Sequence, residues 1–395
     1  MGCFMRRFLL SIVLVLASFS VRAQGNYVIE GSINGDVDGA IISLYKSDGD
    51  MLFMSANDTI RDNAFRFEGK TSGDGVHGFS LMANKDGVIS MLLDLYIRPG
   101  SHVKITGDGM LVYTWDVEND VPEQQTRQKI VGAARRWWNE MQLNDRLEDS
   151  LRAKMKGKGV TEGQKADMKL TLDSLSEYKD VIMGNIVLAE TKAMSGMTVN
   201  GAWLDALLGD AYFAKYSDNQ ECKNAVKVLY DRLSDEWKNT TDGAEIGVVV
   251  YPPKEIKEDE AVADGDLFDI EGNVHHLADF KGKYVLIDFW SEGCGPCRMA
   301  IPEMKEIAEK YKDSLVIVGL SLDGEKIWKE MSTKHGITWY NLNDLKGRSG
   351  IAAKYSVSGT PHYVLVSPSG TMTDKTTGYC KGSLKEFVGK YLDNK

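Results

Sequence analysis

Apolar and polar positions change their spacing twice along this 395-residue chain, and each change marks a different kind of structure. From Tyr27 to about Thr114, short apolar stretches ("YVIEGSI", "AIISLYK", "AFRFEGK", "GFSLMA", "LLDLYIRPG", "HVKITGDG") are broken by "NGDVDG", "SGDGVHG", "NKDG" and "GDG". Alternating or clustered apolar residues between Gly, Asp and Asn turns predict an antiparallel sandwich or barrel over residues 24–120. The Gly/Asp clusters lack the full calcium-loop spacing with its terminal Glu, so turn chemistry accounts for them.

From Val121 to about Asn239 the period becomes helical. Leu172, Leu175, Ile182, Ile186 and Ala189 recur at helical spacings, and "KGKGVTEGQ" divides two long helices, which predicts a helical region over 121–240. Within it, Trp137 and Trp138 after Arg135 and Arg136 read as packing residues beneath solvated charge. Pro252, Pro253 and the charged run "KEIKEDEAVADGD" have the composition of a linker, assigned to 241–262. Beyond it come a hairpin turning at Glu271, Gly272 and Asn273, the strand "YVLIDFW", a helix from about Cys297 to Tyr311 and the strand "LVIVGLSL". A helix from about Glu325 to His335, the strand "HYVLVS" and a last helix through "SLKEFVGKYL" complete the pattern. This alternation predicts an α/β domain with a partly parallel, buried sheet over 263–395.

The first segment changes the picture of where the chain works. Arg6 and Arg7 precede an apolar stretch from Phe8 to Phe19, then Ser20, Val21, Arg22 and Ala23. That is the pattern of a secretory signal peptide over 1–23, cleaved after Ala23, and its apolar stretch is shorter than the ~20 residues a spanning helix needs. Losing Arg6, Arg7 and Arg22 takes the formal charge from −10 to −13, and an acidic chain without a basic stripe is a poor nucleic-acid binder. Cys222, Cys294, Cys297 and Cys380 remain. So low a cysteine density in an oxidising compartment argues for one dedicated pair with two bystanders rather than a disulfide scaffold.

The pair stands in "DFWSEGCGPCRMAIPEM", at a strand-to-helix junction. Unpaired amides and the helix dipole favour a thiolate at a helix mouth, which makes Cys294 the nucleophile. Cys297, one turn on, is placed to attack the mixed disulfide and release the client, and Gly295 and Pro296 between them set the poise.

"LIDFWSEGCGPCRMAIPEM" resembles the active-site segment of thioredoxin, with Asp288 six residues before the first cysteine and Pro302 five after the second. Gly359, Thr360 and Pro361 look like the cis-proline loop of thioredoxin-like proteins, and "TGYCKGSLKEFVGKYL" is similar to their final loop and helix. The "DGDLFDIEGNVHHLADFKGKYVLIDFW" lead-in and the secreted context resemble the periplasmic TlpA and ResA group of thiol-disulfide oxidoreductases. The upstream strands resemble a β-rich domain of unknown function found before such modules in Gram-negative envelope proteins. The resemblance covers about the last 130 residues and implies a thioredoxin fold, no bound cofactor beyond the Cys294–Cys297 couple, disulfide-containing client proteins, and a membrane thiol electron donor that recharges the site.

Residue by residue, Asp288, charged within an apolar strand, is expected to have a raised pKa and to relay a proton toward Cys297. Trp290 is expected to shield the disulfide. Pro361 in cis would turn the Thr360 backbone outward to pair with an extended client, and Gly378 would border the same groove with Gly295 and Pro296. His362 either touches clients or packs. Gly293 stands where the family usually has Trp, which should open the groove, and Ala300 where ResA-type proteins carry Glu, which leaves Asp288 as the buried acid. The Gly-Pro dipeptide favours a reductant, since the thioredoxin couple lies near about −270 mV against about −120 mV for the oxidant DsbA.

Other chemistries fit less well. Zinc lacks a second cysteine pair, and His275 and His276 are adjacent in a hairpin, where neighbours tend to opposite faces. A peroxidase would want Pro at Ile287, and the immediate resolving partner suits dithiol exchange. A disulfide isomerase, favoured by a homodimer through the helical region, and a redox-switched adaptor stay open.

Overall fold

The computed structural model describes residues 26–48, 51–71 and 73–393, so the expected leader and the expected cleavage after Ala23 lie outside the described residues. The chain begins with β1 (Asn26–Asn34), β2 (Ile41–Asp48), β3 (Met51–Thr59), β4 (Ala64–Lys70), β5 (His77–Lys85), β6 (Val88–Ile89), β7 (Leu93–Ile97), β8 (His102–Asp108) and β9 (Asp116–Glu118). They form two sheets, β4-β1-β8-β9 and β3-β2-β5-β6, with β7 also on β5. Alternate residues from both sheets, among them Ile29, Ile33, Phe67 and Val103 from one and Ile42, Leu44 and Leu81 from the other, bury into one core, which makes a sandwich.

Two features lie outside the reading of the apolar pattern. β1 and β8 pair in parallel, because the residues between them build most of the opposite sheet before the chain returns from the same end. β3, absent from the apolar pattern, is an edge strand on β2 with Leu52, Phe53 and Met54 exposed. With neither face buried, it carries no alternation to read.

Seven helices follow: α1 (Pro122–Ala133), α2 (Arg135–Met155), α3 (Glu162–Met194), α4 (Gly201–Tyr216), α5 (Gln220–Asp231), α6 (Asp235–Lys238) and α7 (Thr241–Val250). The Thr161 hydroxyl and Gln164, within the predicted break, close a capping box at the start of α3. Trp138 is buried, whereas Trp137 lies under the Arg136 guanidinium at 4.8 Å from its ring centre. The first ten residues assigned to a linker are α7. Thr240 Oγ1 accepts the Gly243 N–H at 3.1 Å, Ile246 packs into the helical core, and Pro252 and Pro253 fall just beyond the end. Residues further on are strapped to the C-terminal domain: the N–H groups of Ile256, Asp259 and Val262 donate to the carbonyls of Lys354, Met372 and Gly370. Proline and charge content describe side chains, and these backbone bonds decide the segment's order.

The last domain comprises β10 (Leu267–Phe268), β11 (Val274–His275), β12 (Tyr284–Trp290), α8 (Gly295–Lys310), β13 (Leu315–Ser321), α9 (Glu325–His335), β14 (Tyr340–Leu342), α10 (Ile351–Lys354), β15 (His362–Val366), β16 (Met372–Thr377) and α11 (Ser383–Leu392). Its main sheet runs β14-β13-β12-β15-β16, parallel among the first three and antiparallel in the last two. β12 is central and buried along its whole length, which explains an apolar run interrupted only by Asp288. Val285, Ile287 and Phe289 bury on one face, and Tyr284 and Leu286 pack under α8 and α11 on the other. No helix among the described residues is long and apolar enough to cross a membrane.

Candidate active site

Cys294 and Cys297 form a disulfide with Cα atoms 5.3 Å apart. Cys294 is the N-cap of α8: its Sγ accepts the Cys297 N–H at 3.0 Å, and Pro296 sits in the first turn, where its missing N–H loses nothing. The same amide that caps the helix is available to a thiolate on Cys294 after reduction, together with the positive end of the helix dipole. The sulfurs, 7% and 4% exposed by residue, pack with Trp290 and the fully buried Trp328, and Phe268 covers the cluster. Trp290 Nε1 donates to Asn341 Oδ1 at 3.1 Å, which fixes the indole against the disulfide.

Asp288 lies two residues before Trp290 in β12 and therefore on the same sheet face, the one covered by α8. Its Oδ1 is buried and finds no hydrogen-bond partner among the described residues. Burial alone pushes the carboxyl up from its ordinary value to about 7. β12 lies between β13 and β15, so Asp288 stands in the middle of the sheet and not at an exposed edge. Ala300, on the facing side of α8, is completely buried and leaves this acid without a second carboxyl from that position.

The Thr360–Pro361 bond is cis. Thr360 Oγ1 is 3.3 Å from Ser291 Oγ, which brings its loop to the segment before Cys294, and the Gly378 N–H donates to the Pro361 carbonyl at 2.8 Å. Trp290, Thr360, Pro361 and Gly378 are thus tied to the cysteine loop, with Gly295 and Pro296 on it. His362 turns inward: its Nδ1 is 2.7 Å from Thr377 Oγ1, its ring packs near Phe289, and burial, aided by Lys375, lowers its pKa to about 4. Cys222 is buried with its thiol pushed up by burial, and Cys380 is exposed on the loop before α11. His275 pairs with Asp269 while His276 lies near Asp264 and Asp266, and no group of three or more potential metal ligands comes together among the described residues.

Three neighbours escaped the sequence reading. Glu292, 5% exposed, meets His335 Nε2 at 2.6 Å, and Arg298 donates to its backbone carbonyl at 2.8 Å. Glu303, also buried, accepts the N–H groups of Gly382 and Lys385 and the Tyr379 hydroxyl. Despite the opposing effect of burial, these bonds hold its carboxyl below the usual range. Met51 of β3 reaches the site from the N-terminal domain, its Sδ 3.5 Å from where a Cβ on Gly293 would stand. The partners are distant in sequence, and no local motif marks any of the three.

A family model described as thioredoxin-like matches residues 282–372. The thioredoxin-like protein YneN of Bacillus subtilis is 31% identical over 134 residues, 32% of this chain and 77% of the relative. The thiol-disulfide oxidoreductase ResA of Bacillus cereus is 32% identical over 127 residues, 31% of this chain and 70% of the relative. The crystal structure of the thioredoxin domain of a thiol-disulfide oxidoreductase from Bacteroides vulgatus superposes with a TM-score of 0.31 and 30% identity, over 34% of this chain and 99% of that one. Through its last third, which holds the Cys294–Cys297 couple, the chain belongs to the thioredoxin-like family of thiol-disulfide oxidoreductases.

Proposed function

We propose that the protein reduces disulfides in client proteins outside the cytoplasm, in the periplasm, after cleavage of its leader behind Ala23. The observation that carries this reading is the Cys294 Sγ held at the mouth of α8 on the Cys297 N–H, in a face shared with the buried Asp288. In the reduced protein, the Cys294 thiolate attacks one sulfur of a client disulfide, forming a mixed disulfide and expelling the first client thiolate, which takes up a proton. Cys297 then gives its proton to the Asp288 carboxylate and attacks the Cys294 sulfur, expelling the second client thiolate, which takes up a proton as Asp288 gives its own back. Two electrons pass to the client, which leaves as a dithiol, and the Cys294–Cys297 disulfide reforms. With a pKa of about 7, Asp288 is available as a base for a substantial part of its population near neutral pH.

Pro361 and the Thr360 backbone border the groove in which an extended client segment would lie, beside Trp290, Gly295, Pro296 and Gly378. No bound cofactor enters these steps. A dithiol donor at the membrane restores the reduced form by the same exchange in reverse. A Cys297→Ser variant, expressed in the native envelope, should accumulate clients covalently held through Cys294, and purified wild type should turn over a protein disulfide with a dithiol donor. Absence of both trapped client and turnover would refute the assignment.

A further inference from the structure

Away from the disulfide, a pocket of about 300 Å³ opens where the N-terminal sandwich meets the helices. Its walls are aromatic: the Tyr113 and Trp138 ring centres are 4.2 Å apart, and Phe213 stands 6.4 Å from Trp138. Four charged residues line it, the base Arg127 and the acids Glu190, Asp205 and Asp210. Arg127 is already engaged, its Nη2 donating to Asp94 Oδ2 at 2.8 Å and to the Tyr113 hydroxyl at 2.6 Å. Its hydrogen bonds are thus taken by Asp94 and Tyr113, while its single positive charge is shared with Glu190, Asp205 and Asp210, so negative groups outnumber it around the pocket.

The acids are not matched in the same way. Glu190 is 2% exposed and accepts the Trp138 indole N–H at 2.6 Å. Asp210, on the adjoining helix, is equally buried, and its Oδ2 finds no hydrogen-bond partner among the described residues. A buried carboxylate oxygen without a donor is costly, and burial pushes the Asp210 carboxyl well above its usual range, with neighbouring Glu190 adding to the effect. The arrangement lacks one positive group bearing N–H donors, in a space the size of a side chain. A bare metal ion fits poorly, because no three potential ligand side chains converge among the described residues and the uncharged wall is aromatic and aliphatic.

We propose that this pocket binds a small organic cation, an alkylammonium or guanidinium group, with Asp210 and Glu190 accepting its N–H donors and Trp138, Tyr113 and Phe213 facing its charge. Asp205 stands exposed on the surface beside it and contributes attraction to an approaching cation. The site is independent of the redox couple and does not rest on the direction of disulfide exchange.

Calorimetric titration of the full chain with agmatine, and separately with an end-blocked tripeptide carrying a central lysine, tests this. Saturable binding of either probe, weakened about tenfold or more in Asp210→Asn, is the expected result. Binding of agmatine alone assigns the pocket to a free amine, and binding of the tripeptide assigns it to a polypeptide side chain. Asp210→Asn removes an unpaired buried carboxylate and should melt no lower than wild type; Glu190→Gln gives a second reading of the same loss. Absence of saturable binding to both probes, or affinities unchanged in both folded variants, overturns the proposal.

Discussion

Met51 and Gly293 meet across two domains, the Met51 Sδ lying 3.5 Å from the point a Cβ on Gly293 would occupy. The residue before the first cysteine has no side chain in this protein, and a methionine from the N-terminal sandwich borders the space. Gly293→Ala should be accommodated with a stability change within about 0.5 kcal/mol, since the new contact is ordinary. Gly293→Trp must push Met51 aside and should cost about 1–3 kcal/mol. Adding Met51→Ala should recover part of that loss, and a double-mutant cycle of denaturant melts measures it. Strictly additive effects would show that the two positions do not meet in solution.

Asp288 links stability and activity with opposite signs. Its folded pKa of about 7 lies above the ordinary 3.8, so the folded protein binds the extra proton between those values. Wild type therefore carries no penalty from this group below about pH 4, and loses stability as pH rises toward about 7. Asp288→Asn removes the ionisation and should be more stable than wild type at pH 8, by up to about 4 kcal/mol, with little gain at pH 4. The same variant should resolve mixed disulfides at least about tenfold more slowly at neutral pH. Denaturant melts at the two pH values and stopped-flow release of client separate the two effects.

Glu303 holds the loop between β16 and α11 by three hydrogen bonds at 2.7–2.9 Å. Glu303→Ala leaves those donors without it and should cost about 2–4 kcal/mol. The loop carries the exposed Cys380, whose alkylation rate should rise in the variant while that of the buried Cys222 stays constant. Equal rates in wild type and variant would mean that Glu303 does not order the loop.

Gly243 permits α7 to pack against the turn before it. A Cβ there would fall 1.9 Å from the Trp237 carbonyl oxygen, a backbone atom that cannot swing aside. Gly243→Ala should destabilise the helical region by about 1–3 kcal/mol despite the better helix propensity of Ala, and thermal melts followed by circular dichroism read the change. A stabilised variant would contradict the packing of this segment as an ordered helix.

The Cys294–Cys297 pair was legible in the sequence because its signature is local. Two cysteines at the start of a helix, an acid inside an otherwise apolar strand and a proline ahead of the next buried strand each carry a signature within a few residues. The alternation of β12, α8, β13 and α9 was legible for the same reason, since continuous apolar strands and helical periods report burial directly. Edge strand β3 escaped because its residues are exposed on both faces, and α7 because a capped helix with a single fully buried aliphatic, Ile246, looks like a polar connector.

By itself the sequence determined three structural regions, the paired cysteines at a helix start and the acid within β12, because spacing along the chain sets which residues share a strand face or a helix turn. The tertiary structure alone decided that β1 pairs with β8 in parallel, that Met51 stands at Gly293, that Glu303 closes the loop around Cys380, and that Glu190 and Asp210 are enclosed with Arg127 and Trp138. Those relationships join residues tens to hundreds of positions apart. They depend on how sheets and helices pack, and neither hydrophobic period nor motif spacing encodes that separately from the folded whole.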